Sequence, residues 1–342
     1  MNLRDPRYGD FALVREMLET PDGIRRFDPT AAQEAAVEVH ATRRLLLTGE
    51  GSSRIFPAKN AIYENLKLGC PWQIVTEGAR QAQEYELSRF AVFGASNSGR
   101  TKEVIALFSQ LAEEGHERRF GLTAHRGVKL EEVSVRCYYL TCGSEEAVAA
   151  TKSVVEQALF YRAMLAETET DSPFLSPSQK ESAAEAARSV LEMPLDGKLI
   201  ERLASAPLIY FAGRNTGVAE ELTLKTNEIT HKKSDYLEGT YAVHGIEEVM
   251  RPDEVVVLID PFPSEIEKFR EVLAEGVGMT VLAVSAEETP FPTIRIPQVD
   301  GYDTVLQLLA GWNLLVEVGV ALGINLDKAE RARKIGNAFP GS

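Results

Sequence analysis

RFAVFGASNSGRTKEVIALFSQLAEEG, residues 89–115, reads as a strand, a turn rich in Ser and Gly, and a helix. The apolar run has strand length, and Asn, Ser and Gly then punctuate the chain before helical spacing begins. The same order occurs upstream in RLLLTGEGSSRIFPAKN, residues 44–60. Further strands are expected at PWQIVTEG (71–78), RFGLTAH and CYYLTCG, with EEAVAATKSVVEQALFYRAML as one long helix. Strands alternating with helices at this spacing specify βαβ units and a mostly parallel sheet. Ligands of such sheets bind at the carboxyl ends of the strands, where the Ser-rich turns fall.

The pattern breaks at DSPFLSPSQKE, residues 171–181, whose two prolines and three serines mark a connection. A helix over ESAAEAARSVLEM follows. The strand–glycine–helix plan then restarts in APLIYFAGRNTGVAEELTLK, residues 206–225. VVVLID, MTVLAVS and PTIRIPQ supply further strands, and LQLLAGWNLLVEVGVALG a closing helix. The expected fold class is therefore α/β: two tandem units, each a mostly parallel sheet flanked by helices. The expected division is an N-terminal helical segment over 1–40, a first unit over 41–168, a linker and helix over 169–196, and a second unit over 197–342 with a C-terminal tail.

Composition narrows the function. The 342 residues are 44% hydrophobic and 26% charged, enough for real cores. A formal net charge of -14 repels phosphate backbones and anionic bilayers, so neither nucleic acid nor membrane is expected as a partner. The three cysteines, Cys70, Cys137 and Cys142, form no C-x-x-C pair, which speaks against a disulfide framework or a cysteine zinc site. The five histidines show no H-x-x-x-H spacing, so no metal site is expected. MNLRDPRYGD lacks an apolar signal core, and the closing helix is too mixed to read as a membrane span; a cytoplasmic location is the expectation.

The strongest chemical signal is Ser96-Asn97-Ser98-Gly99-Arg100-Thr101, where hydroxyls and backbone N–H groups meet at a helix start. Such a turn takes a phosphate without many lysines, although plain helix capping uses the same residues. Gly49-Glu50-Gly51-Ser52-Ser53-Arg54 is a second hydroxyl-rich turn. It lacks the third glycine of a dinucleotide fingerprint, and a phosphate pocket shared with the first turn suits it better. Small residues in Gly143–Lys152 allow close approach to a ligand, or simply begin a packed helix. Lys225, Glu228 and His231 follow at i, i+3 and i+6 on one expected helix, and His244 comes shortly after. A Lys–Glu pair is usually an exposed ion pair of little energetic weight. Glu and His are also the natural pair for moving protons between carbon and oxygen near neutral pH.

These residues resemble a known family. SNSGRT is similar to the S-x-S-G-x-T signature of sugar isomerase (SIS) domains. GSEEAVAATK resembles the G-x-E-x-x-V-A-S-T-K stretch in the isomerase domain of glucosamine-6-phosphate synthase. The family's lysine, glutamate and histidine spacings match Lys225, Glu228 and His244. Asn325-Leu326-Asp327 followed by Arg333-Lys334 fits its C-terminal lysine.

The resemblance implies a metal-independent, cofactor-free enzyme acting on a phosphorylated sugar. Ser52, Ser53, Ser96, Asn97, Ser98 and Thr101 would hold the phosphate, and Val148 would touch the sugar through its backbone. Glu228 would shuttle the proton between C1 and C2, and His244 would assist ring opening. Lys225 and Lys334 would anchor or polarise the open chain. His244 would come from the other subunit, implying a homodimer. The family's glutaminase nucleophile is a cysteine, whereas the first cysteine here is Cys70, so a glutamine-independent enzyme is expected.

Arg100, Ala150 and Tyr241-Ala242-Val243 depart from the family pattern and bear on the leaving group. The favoured expectation is a glucosamine-6-phosphate-type deaminase and isomerase. A fructosamine-6-phosphate deglycase, an aldose–ketose isomerase and a non-catalytic sugar-phosphate sensor are the alternatives.

Overall fold

Residues 1–9, 11–166 and 173–331 are described by the structure, a computed structural model. It contains two five-stranded sheets. The first comprises β1 (Arg44–Gly49), β2 (Gln73–Gly78), β3 (Ala91–Ala95), β4 (Arg119–Thr123) and β5 (Arg136–Tyr139), in the order β2-β1-β3-β4-β5. The second comprises β6 (Leu208–Gly213), β7 (Lys233–Glu238), β8 (Val255–Ile259), β9 (Thr280–Ser285) and β10 (Thr293–Arg295), in the order β10-β9-β8-β6-β7. Every pairing is parallel. Numbered within its own sheet, each runs 2-1-3-4-5, so the expected internal repeat is real at the level of topology.

The chain forms two compact units. One holds residues 22–145 and 150–177; the other holds residues 1–21, 146–149 and 178–330.

In the first-sheet unit, β3 shows why the pattern folds as it does. Successive side chains point to opposite faces. Val92 joins Leu46, Val104 and Phe108 on one side. Phe93 stacks on Phe120 at 5.1 Å and meets Tyr161 edge-on at 6.1 Å on the other. Tyr161 belongs to the helix Lys152–Ala166, which is buried along most of its length. Both faces are thus covered, as a parallel sheet requires.

In the second-sheet unit, Tyr210, Ala212, Val256, Leu258, Val281 and Ala283 pack against Phe269 and Leu273. The closing helix is Asp303–Ala321. Among the described residues it is the one helix long and apolar enough to cross a membrane, and 83% of its apolar window is buried within the protein. Residues 1–21 are tied to this unit: the Tyr8 hydroxyl donates to Glu317, and the amino group of Met1 donates to the Leu191 carbonyl at 2.9 Å.

Two local expectations are corrected, and one strand is added. The long helix expected from Glu145 begins only at Lys152, because the Glu145 carboxylate accepts Thr151 N–H at 2.7 Å and acts as a cap. The helix expected from Glu181 begins at Pro177, where proline's fixed φ suits a first turn. β7, KSDYLE, escaped sequence reading: it is an edge strand with Lys233, Asp235 and Glu238 exposed and only Leu237 fully buried. Its register along β6, Leu208↔Lys233 through Gly213↔Glu238, makes it a strand, and its composition does not.

Candidate functional site

In the first sheet β1 and β3 are neighbours, while β2 leaves on one side and β4 on the other. This is the switch point at which crossover connections diverge and open a crevice beyond the strand ends. Both hydroxyl-rich turns start there. β1 runs into the 3-10 turn Gly51–Ser53, and β3 into residues 96–101 before the helix Lys102–Glu113. The two strand ends touch: a Cβ on Gly49 would stand 2.9 Å from the Ala95 carbonyl oxygen and 3.0 Å from that of Ser53.

The second turn is closed on itself. Ser96 and Thr101 share a hydroxyl hydrogen bond of 2.7 Å, and Gly99 N–H donates to the Ser96 carbonyl at 2.9 Å. Arg100 N–H donates to Ser98 Oγ at 3.3 Å. Asn97 donates from Nδ2 to Glu145 at 2.7 Å, and its carbonyl accepts Thr123 Oγ1 at 2.9 Å. Ser96 and Ser52 are buried. The Ser53 carbonyl accepts from Gln157 Nε2 at 2.5 Å, so Gln157 fixes the first turn from the helix Lys152–Ala166. Hydroxyls and amides thus gather at the positive end of a 12-residue helix, where the partial positive charge suits an anion. Beside them Glu50 caps Ala79 N–H at 3.0 Å, and burial pushes its carboxyl pKa up.

Gly99 is left-handed (φ +63°), and an added Cβ would stand 2.3 Å from Val128 Cγ2. Gly99→Ala is expected to cost about 1–3 kcal/mol by overpacking and strain, visible as a lower urea midpoint. Phosphate affinity should fall with it, because the same glycine shapes the turn. An unchanged midpoint would mean that the turn is not rigid.

The second sheet repeats the switch point between β6 and β8 with different chemistry. The Arg214 guanidinium donates to the Asp260 carboxylate at 2.6 Å and lies 4.2 Å from the Phe262 ring centre. An ion pair stands where the first sheet has hydroxyls.

The helix leaving β6, Val218–Thr230, carries the other cluster. Lys225 Nζ donates to Glu228 Oε2 at 2.7 Å and lies 3.4 Å from Glu221 Oε1. The side chains of Lys225 and Glu221 are 0% exposed, whereas 26% of Glu228 remains open. Glu221 was missed in the sequence; its only signal is its position one turn before Lys225. His231 ends the helix in the left-handed region (φ +52°), a structural placement. His244 is exposed after the 3-10 turn Tyr241–Val243, its N–H donating to the Tyr241 carbonyl at 3.1 Å.

Val148 donates its N–H to the Asp327 carbonyl at 3.2 Å. The Asp327 carboxylate in turn caps Ala12 and Leu13 N–H at 2.9 and 2.8 Å. Lys334 lies outside the described residues. Among the described residues no cluster of three or more His, Cys, Asp or Glu side chains is arranged to hold a metal ion.

No protein-family model matches the chain. A curated relative, the isomerizing glutamine–fructose-6-phosphate aminotransferase of Aeropyrum pernix, is 25% identical over 94% of this chain. The match covers 55% of that protein, so the chain spans about half its length. Among solved structures, the tagatose-6-phosphate ketose/aldose isomerase of Escherichia coli is similar at a TM-score of 0.78 and 17% identity, covering 95% of this chain and 97% of that one. The glucosamine-6-phosphate deaminase of Thermotoga maritima is similar at 0.77 and 20%, covering 94% and 98%. The C-terminal domain of the Francisella tularensis glucosamine-fructose-6-phosphate aminotransferase is similar at 0.76 and 15%, covering 95% and 100%. With two parallel sheets of the same strand order and a match along nearly its whole length, the chain has the double sugar-isomerase-domain (SIS) fold.

Proposed function

We propose that this chain is a phosphosugar isomerase that acts on an amino sugar phosphate, shifting a proton from C2 to C1 so that water hydrolyses the resulting C2 imine to ammonia and a ketose phosphate. The observation that carries the reading is the Glu228 carboxylate, held at one oxygen by a buried lysine and partly open. That is the arrangement of a positioned base for proton transfer next to a carbonyl. The Ser96–Thr101 turn, with Ser52 and Ser53, supports the phosphate half of the reading. The names of the Thermotoga and Francisella proteins support the amino sugar.

In this reading Glu228 moves the proton between C1 and C2, and Lys225 fixes it while polarising the sugar oxygens with Lys334. The Val148 carbonyl touches the sugar. His244 assists ring opening in the site of a second copy. The exposure of His244, together with Tyr241 (50% exposed) and Val249 (66%) nearby in the chain, supports a covered homodimer face there. Nothing in the proposed mechanism calls for a cofactor. A second reading, aldose–ketose isomerisation without loss of nitrogen, is favoured by the likeness to the tagatose-6-phosphate enzyme.

The test is a substrate panel. Glucosamine 6-phosphate, galactosamine 6-phosphate, tagatose 6-phosphate and fructose–amino acid 6-phosphates are each incubated with the protein. Ammonia from an amino sugar phosphate is the expected result. Conversion of tagatose 6-phosphate to an aldose phosphate alone would move the protein to the second reading, and a free amino acid to deglycation. Binding without turnover of any substrate would sink the enzyme.

A further inference from the structure

Glu145 stands between the Ser96–Thr101 turn and the start of the helix Lys152–Ala166. Its residue surface is 8% exposed, and hydrogen bonds from Asn97, Thr151 and Ser153 converge on its two oxygens. Asn97 Nδ2 donates at 2.7 Å, Thr151 N–H at 2.7 Å and Thr151 Oγ1 at 3.1 Å. Ser153 Oγ donates at 2.5 Å and Ser153 N–H at 3.4 Å. A carboxylate buried this deeply is costly unless its lone pairs are filled, and here they are.

The charge has the wrong sign to attract a phosphate, so its use must lie in what it holds. On the turn it holds Asn97. The Asn97 side chain is tied to Glu145, and its carbonyl accepts Ala124 N–H at 3.1 Å and Thr123 Oγ1 at 2.9 Å. The residue is pinned at both ends, and the donors around it meet an anion without first being ordered.

We propose that Glu145 is a positioning residue for anion binding: it clamps Asn97 to the start of the helix Lys152–Ala166 and so keeps the Ser96–Thr101 turn in binding geometry. This rests on the reading that the turn takes the substrate's phosphate. Because the phosphate is held equally in ground and transition states, loss of the clamp raises KM and leaves kcat in place.

The experiment measures inorganic phosphate binding by titration calorimetry on the full chain, for wild type, Glu145→Gln, Asn97→Ala and the double variant. Glu145→Gln should weaken phosphate about tenfold, the worth of one charge-assisted hydrogen bond. In the double variant the two losses should not multiply, because Glu145 acts through Asn97. Ser153→Ala removes one hydroxyl from the cluster and gives a milder loss with the same coupling, should Glu145→Gln fold poorly. Losses that multiply, or phosphate affinity unchanged in both Glu145→Gln and Ser153→Ala, would overturn the clamp while leaving the functional reading intact. A wild type that binds neither phosphate nor any sugar phosphate would remove the functional reading, and the clamp with it.

Discussion

Glu228→Gln should lower turnover of the active substrate by about 10²–10⁴-fold while leaving phosphate affinity unchanged. The swap keeps size and shape and removes only the ability to take a proton. Lys225 Nζ can still donate to the amide oxygen over the 2.7 Å that it now spans to Oε2, so the helix Val218–Thr230 should stay folded. The proposed anion seat lies on different elements, the turns after β1 and β3. The expected signature is therefore a fall in kcat with an unchanged inhibition constant for inorganic phosphate and a thermal midpoint near that of wild type. Glu228→Asp keeps the base but withdraws it by one methylene, and should lie between the two. Turnover within a factor of a few of wild type in the glutamine variant would show that the carboxylate is not the proton carrier. His244→Ala should do less, since ring opening also proceeds unaided in water.

The topology was legible because alternating strand, Ser- or Gly-rich turn and helix is a strong periodic signal, and it located nine of the ten strands among the described residues. β7 was lost because an edge strand in a polar sequence has no apolar run to announce it. The helix start at Lys152 was misread for a related reason. Residues 143–151 have helical composition, but a carboxylate six residues upstream of Thr151 takes its N–H and ends the competition locally. Ser96, Asn97, Ser98 and Thr101 could be proposed as one cluster because they are adjacent in sequence. Gln157 and Glu145 could not be linked to the turns, since their contacts reach across 104 and 48 residues. Lys225 and Glu228 were visible as an i, i+3 pair, yet their burial was not. A Lys–Glu pair reads as surface charge until the packing around it is known. The second switch point shows the limit of the repeat: strand order was duplicated, but Arg214 and Asp260 occupy the place of the serines.

Burial also decides what Lys225 does for stability. Lys225→Met should destabilise the protein by about 3–5 kcal/mol, the usual cost of breaking a buried pair from one side. The lysine is 0% exposed, and it faces Glu221, also 0% exposed, at 3.4 Å and Glu228 at 2.7 Å. Methionine fills most of the same volume, so a packing void contributes little, and the loss comes from carboxylates left without this cation. Pairing the change with Glu221→Gln removes one of those charges. The double variant should regain a large part of the lost stability in urea unfolding, although it would remain inactive if Lys225 also polarises the sugar. Glu221→Gln alone should be destabilising as well, since it removes the buried carboxylate charge 3.4 Å from the lysine. A Lys225→Met variant as stable as wild type would mean that the cluster is hydrated in solution. A double variant no better than the single would place the cost in side-chain packing and not in charge. Separating the two matters for the chemistry, because a lysine held dry between two carboxylates keeps Glu228 in one orientation, and a hydrated one does not.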